Sequence, residues 1–149
     1  SASSPFTATP GQVAFSPDGS KLIVTTKATG NAIDVYRVGL FGLISLSPVV
    51  NVDAGAVPFA VDFDASGDLV VAEAGTNSVA SFALGRDGTI SLLHRVATGQ
   101  AATCWIRAVG SYVYASNAGS PSESSIGVGA GGTLSLLGNT TTDAGAVAR

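Results

Sequence analysis

A chain of 149 residues with only 11% charged residues, 46% hydrophobic residues and 19 glycines suits tightly packed strands joined by glycine turns, and excludes a disordered chain. The net charge is −3, and the seven basic residues (Lys21, Lys27, Arg37, Arg86, Arg95, Arg107 and Arg149) stand singly, which excludes the clustered cations that neutralise nucleic-acid phosphates. No apolar stretch approaches the ~20 residues of a membrane-spanning helix, and the single cysteine, Cys104, has no internal disulfide partner. The chain starts at Ser1 and lacks methionine, as expected of a processed or partial polypeptide.

In chain order, Gln12-Val13-Ala14-Phe15 after Pro10-Gly11 predicts a strand over 12–15. Ser16-Pro17-Asp18-Gly19 has proline and glycine where a type I turn wants them. The run Leu22-Ile23-Val24-Thr25 predicts a strand over 21–26, a polar loop with Asn31 follows, and the alternation of Ile33-Asp34-Val35-Tyr36 predicts 32–38, with a last strand over 43–51. The same order then recurs, with strands over 60–63, 68–73, 78–84 and 89–97, Asn77 in the polar loop and the Asp87-Gly88 hairpin signal before the last strand. A third copy, shortened at its first turn, predicts strands over 104–108, 111–116, 124–128 and 132–137, with Asn117 as its loop asparagine. No segment shows a helical period over ~11 residues.

Pro10 and Pro58 are 48 residues apart, and Pro58 and Trp105 are 47 apart. Four short strands repeating every 40–50 residues or so is the sequence signature of a β-propeller blade. The expectation is therefore an all-β chain of three four-stranded antiparallel blades, over 1–57, 58–103 and 104–149. A closed ring needs typically 4–8 blades, so the chain reads as about three-sevenths of a ring. Its two end faces are expected to be too apolar to stand in water. The implied partner is the rest of the ring: a second polypeptide, missing sequence, or further copies of this chain.

The blade run from Phe15 to Val38, "FSPDGSKLIVTTKATGNAIDVYRV", resembles the lactonase-type seven-bladed propellers with YVTN-like repeats, whose neighbours include propeller-type 6-phosphogluconolactonase and 3-carboxymuconate cyclase. The segments "QVAFSPDG", "PFAVDFDASGDLVVAEA", "TGQAATCW" and "YVYASNAGS" are similar to the C-terminal part of a secreted bacterial branch. That resemblance implies a secreted, periplasmic or extracellular propeller without a cofactor, binding a small molecule, glycan or protein at its tunnel mouth. The alternative it implies is a lactone hydrolase or muconate-cyclase-like enzyme. Its characterised enzymes place a histidine in a His-Pro segment before an inner strand. The matching places here are Pro10-Gly11-Gln12, Pro58-Phe59-Ala60 and Cys104-Trp105, without histidine, so catalytic residues would come partly from other blades.

Other motifs read plainly. Gly127 to Gly132 satisfies G-x-G-x-x-G, but a strand pattern follows where a nucleotide site needs a helix, so a hairpin is expected. Asp62 to Glu73 fits a calcium-loop spacing, yet Glu73 would lie about 20 Å along a strand from Gly67, so this too reads as a turn between strands. His94 stands alone and reads as an edge side chain. Cys104 lacks the nearby positive charge that activates a thiolate and reads as buried and structural. No G-x-S-x-G is present, and Asn139-Thr140-Thr141 is a glycosylation sequon.

In a propeller, the loops entering each inner strand and the loops between second and third strands gather at one tunnel mouth. Those positions nominate Gln12, Lys27, Phe59, Glu73, Trp105 and Asn117 as ligand-binding residues, with Cys104 beside them. Lys27 and Glu73 fall at nearly equivalent places in adjacent blades. They read either as an ion pair between blades or, with Trp105 as a stacking surface, as a polar ligand-holding set.

Overall fold

The computed structural model describes residues 9–142, so the outer ends of the first and third predicted blades lie outside the described residues. The chain forms three four-stranded antiparallel sheets, each a simple meander. The first comprises β1 (Val13–Phe15), β2 (Lys21–Thr25), β3 (Ala32–Arg37) and β4 (Val49–Val52). The second comprises β5 (Pro58–Phe63), β6 (Leu69–Glu73), β7 (Ser78–Leu84) and β8 (Ile90–Ala97). The third comprises β9 (Thr103–Val109), β10 (Tyr112–Asn117), β11 (Ser122–Val128) and β12 (Leu134–Thr141). Among the described residues no helix is long and apolar enough to cross a membrane.

Strand alternation sends odd and even residues to opposite sheet faces, and the two faces of the middle sheet meet different neighbours. In the first seam, Ile23, Ile33 and Val35 pack against Val61, Leu69, Val71, Ala80 and Phe82. In the second, Val70 and Val79 meet Val113, Ala115, Ile126 and Leu134. The middle sheet is covered on both sides, which is why all five residues of β6 are buried and its sequence reads as an unbroken apolar run before Glu73. Each fully buried Val, Leu or Ile contributes roughly 1.5–3 kcal/mol relative to exposure.

Polar groups peg the same seams. The Asn51 side chain donates to the carbonyls of Ile33 and Gly88 and accepts from the Ile90 N–H. In the second seam, the Asp62 carboxylate accepts from the Ala108 N–H at 2.8 Å. The last hairpin of every sheet repeats one closure: the amides of Gly39, Gly85 and Gly129 donate to the carbonyls of Leu43, Thr89 and Thr133. The G-x-G-x-x-G run is therefore a hairpin, with Gly132 at φ 73° against Leu93. The Asp62-to-Glu73 run is two strands and a turn, in which Asp64 accepts from the Ser66 and Asp68 amides.

Three sequence expectations need correction. The predicted 43–51 strand shrinks to Val49–Val52, because a 3-10 turn at Leu40–Gly42 precedes it and only an isolated bridge joins Val38 to Ile44. A single helical turn, α1 (Lys27–Gly30), fills the first polar loop. Asn117 is not the third loop asparagine. The Asn31 and Asn77 carbonyls accept the amides of Asp53 and Thr98, and in the third sheet it is Pro121 that accepts Thr142 in the same way.

The outer faces of the first and third sheets have no cover among the described residues. They expose Val13, Phe15, Val50 and Val52 on one end, and Trp105, Val109, Tyr112 and Tyr114 on the other.

Candidate functional site

Three of the six nominated residues meet, one from each sheet. Phe59 near the start of β5 is buried, and Trp105 on β9 meets it edge to face, with ring centroids 5.7 Å apart and an interplanar angle of 87°. Lys27 in α1 holds its ammonium 4.8 Å from the Phe59 centroid, a cation–π contact, and donates to Thr9 Oγ1 at 2.9 Å. Lys27 is 5% exposed and Trp105 is 52% exposed, so the stack runs from a buried cation to an open indole. A desolvated cation against a ring face gains about 2 kcal/mol, and a T-shaped aromatic pair about 1 kcal/mol beyond its burial.

The chain places these groups by backbone design. Gly11 passes so close to the first seam that a Cβ there would strike Thr25 Oγ1 and the Phe59 carbonyl oxygen. Without a side chain at that point, Thr25 Oγ1 donates to the Phe59 carbonyl at 2.5 Å and accepts from the Gln12 N–H at 2.9 Å. Gln12 then clamps the Val61 backbone at both ends, donating from Nε2 at 3.0 Å and accepting at Oε1 from 3.2 Å. Gln12 therefore fixes the height of Phe59.

Glu73 and Asn117 are likewise committed elsewhere. Glu73 has no exposed surface, and its carboxylate takes a bidentate Arg95 guanidinium at 2.7 Å on each oxygen, together with Ser78 Oγ at 2.6 Å and Thr76 Oγ1 at 3.2 Å. The second guanidinium nitrogen also reaches Asp53 Oδ1 at 2.9 Å. The expected Lys27–Glu73 pair is thus replaced by Arg95–Glu73. Cross-strand pairing sets Glu73 opposite Ser78, whereas in the first sheet it is Thr26 that bonds Ala32 at the matching place. Lys27 stands one residue past that place, as the first residue of the 27–31 loop, and is therefore out of register with Glu73. Asn117, also buried, accepts from Thr103 Oγ1 at 2.7 Å and donates to Ser122 and Ser124.

No protein-family model and no curated protein matches the sequence. Solved structures do. A protein from Lactobacillus plantarum superposes with TM-score 0.79 at 25% identity, over 90% of this chain and 42% of that one. A candidate 6-phosphogluconolactonase from Bacteroides uniformis gives 0.76 at 24% identity, over 95% of this chain and 45% of that one. The periplasmic gluconolactonase PpgL of Pseudomonas aeruginosa gives 0.76 at 18% identity, over 95% and 42%. The fold is that of the lactonase-type β-propellers. The chain spans less than half the length of these structures.

In this propeller, β1, β5 and β9 each begin a four-stranded meander, and the Lys27–Phe59–Trp105 stack bridges all three blades. Cys104 is buried and free, and burial pushes its thiol up, against smaller opposing effects of the Ala118 backbone and Lys27. His94 accepts the Leu134 N–H at its Nδ1, 3.3 Å away, inside the second seam. Asn139 of the sequon spends its amide nitrogen on the Thr98 carbonyl and its oxygen on Ser124 Oγ. Among the described residues no group of three His, Cys, Asp or Glu side chains is arranged to hold a metal ion. Sequence reasoning missed Arg95 and Asp53, which lie beside the blade 1–blade 2 cleft of about 430 Å³ formed by β4 and β8. An arginine alternating outward on a last strand carries no local signal of its partner.

Proposed function

We propose that this chain is part of a lactonase-type propeller that binds a small polar molecule or glycan at the tunnel mouth, with Trp105 as the stacking platform. The observation that carries this reading is the half-exposed indole on an inner strand, backed by a buried ring and a buried cation. An indole held rigidly from behind loses little entropy when a flat ligand face settles on it. Lys27 raises the positive potential behind the aromatic pair and favours ligands carrying carboxylate or hydroxyl oxygen.

The rest of the ring completes the tunnel, as a second polypeptide or as sequence continuous with this one, outside the cytoplasm. Four further blades are the natural complement, since three blades fill 42–45% of the structures that match. Native mass measured on protein from its source, set against its denatured mass, is the direct test of that completion.

Isothermal calorimetry of the completed ring against monosaccharides, disaccharides and sugar-acid lactones tests the site. Trp105→Ala should weaken a binding ligand about tenfold, consistent with ~1.4 kcal/mol of stacking. Unchanged affinity in that variant would refute the site. Lactone hydrolysis is the second reading, favoured by the gluconolactonase PpgL among the structural matches. Turnover of the lactone panel, lost on changing basic residues facing the tunnel, separates catalysis from binding.

A further inference from the structure

Each open end of the propeller carries one carboxylate at a place that is apolar or small wherever a seam is already closed. Ile33, Val79 and Glu123 are the second residues of β3, β7 and β11, and Asp34, Ala80 and Ser124 are the third. Cross-strand register makes the positions equivalent. Asp34 lies opposite Val24 and then Val13, Ala80 opposite Val71 and then Val61, and Ser124 opposite Ala115 and then Ile106. The second residue faces the following blade: Ile33 joins the first seam and Val79 the second, both fully buried. The third faces the preceding blade, and Ala80 and Ser124 are fully buried there.

At the ends these positions change character. Asp34 shares its face with Val13, Val24 and Val50, and its Oδ1 is buried by those neighbours without a hydrogen-bond partner. Glu123 lies opposite Ser116 and then Trp105, beside Tyr114, on the other open face. Burial already raises both acids above the usual carboxylate range, before any neighbour covers them. The cation on Glu123's face, Arg107, stands on β9, two strands and about 10 Å from the level of β11. It points to Asp62 at 3.4 Å.

We infer that Asp34 and Glu123 key the two open faces: each seats a further propeller blade that presents a lysine or arginine at the level of its third strand, and together they oppose closure of two copies of this chain on each other. The inference rests on the reading that further blades complete the ring. Two copies joined head to tail would make six blades, within the usual 4–8, so blade count alone does not forbid it. That arrangement, however, brings Glu123 of one copy and Asp34 of the next into one dry seam. Two desolvated like charges at that place repel each other, whereas a cation from the correct blade would compensate each of them.

A charge-swap series on the full chain tests this by sedimentation velocity at neutral pH and low salt. The unaltered chain should remain unassociated. Asp34→Lys should self-associate at least tenfold more tightly, since the introduced ammonium meets Glu123 of the next copy, and Glu123→Lys should do the same through Asp34. Asp34→Lys with Glu123→Lys together should return to the unassociated state. Circular dichroism checks the fold of each variant. If a lysine variant fails to fold, the isosteric Asp34→Asn with Glu123→Gln pair should still associate more tightly than the unaltered chain. Association of the unaltered chain as tight as the single-lysine variants, or a double variant as tight as the singles, would overturn the keying. Native mass of the protein from its source reports separately on ring completion, so the two readings can fail independently.

Discussion

The side-chain oxygen of Asn31 accepts a hydrogen bond from the backbone N–H of Val57 at 3.0 Å, latching the first polar loop to the chain entering the next blade. Asn77 repeats the latch on Ala102 at 2.7 Å. All four residues have left-handed backbone, with φ of 46° and 54° at the asparagines and 51° and 53° at their partners. Asparagine tolerates that region, whereas a β-branched valine is strained there by roughly 1–3 kcal/mol. Each latch holds its strained partner in place while the asparagine's own carbonyl receives Asp53 or Thr98 from the end of the fourth strand. One residue thus joins three segments at the same point in two successive blades.

Asn31→Ala and Asn77→Ala should each destabilise the chain by about 1–2 kcal/mol, through an unsatisfied amide and a less favourable left-handed residue. Asn→Gly at either position should cost less, because glycine removes the backbone penalty and only the acceptor is lost. Urea midpoints give the comparison. Because the latches are geometric repeats, the two alanine variants should agree within about 0.5 kcal/mol.

Arg95 decides whether Glu73 is tolerable where it is. The carboxylate has no exposed surface, and both its oxygens rest on one guanidinium. Removing the cation by Arg95→Ala leaves a buried charge whose hydroxyl partners do not neutralise it, and should cost about 3 kcal/mol. Arg95→Met combined with Glu73→Gln should recover most of that loss, since two neutral groups need no compensation. A double-mutant cycle in denaturant measures the coupling, and an additive result would contradict it.

The same cluster sets a pH response. Burial, followed by the adjacent Glu73 carboxylate, raises Asp53 to about 6, against a smaller opposing effect of Arg95. Asp53 Oδ2 is buried without a partner, the arrangement of a carboxyl better kept protonated. The folded chain then holds this proton more tightly than the unfolded chain. Its contribution favours folding at pH below about 4 and is lost as pH rises through about 6. Asp53→Asn, which stays neutral, should gain stability relative to the unaltered chain over that interval, on the order of 1 kcal/mol. Paired thermal melts at pH 4.5 and pH 7 give the difference, and parallel curves would refute it.

Most strands were legible because alternation and turn chemistry speak locally: the Leu69 to Ala72 run, the Ser16 to Gly19 turn and the Asp87-Gly88 hairpin need no tertiary knowledge. The first sheet's last strand was misjudged because its apolar residues sit in an irregular turn, where Phe41 adopts φ 65°. Phe59 and Trp105 were legible as positions entering inner strands and Lys27 as a position in the loop between second and third strands, but their stacking depends on how the blades rotate against each other. The Lys27–Glu73 pairing misled because Lys27 stands one residue past the place that matches Glu73, a difference that leaves the look of the motif unchanged. Arg95 and Asp53 lie 22 and 20 residues from Glu73 in sequence, on other strands or loops, and only the packed seam unites them.

Cys104 offers a sensitive report on blade packing. Its thiol is buried between blades and pushed above the usual thiol range by burial, so at neutral pH it is neither ionised nor reachable. In the folded chain it should react with a water-soluble disulfide reagent far more slowly than in urea, at least a hundredfold at pH 7.5. Trp105, its neighbour in sequence, points to the other face and is half exposed, so its fluorescence should be quenched by iodide under the same conditions. Covering the third blade with its correct neighbour should leave the thiol rate unchanged, because the cysteine faces the closed seam. Opening of the second seam, for example by Val79→Ala, leaves a cavity costing about 2 kcal/mol. It should raise thiol reactivity while leaving iodide quenching as it was. Protection of both residues together, or exposure of both together, would contradict the alternation that places them on opposite faces of β9.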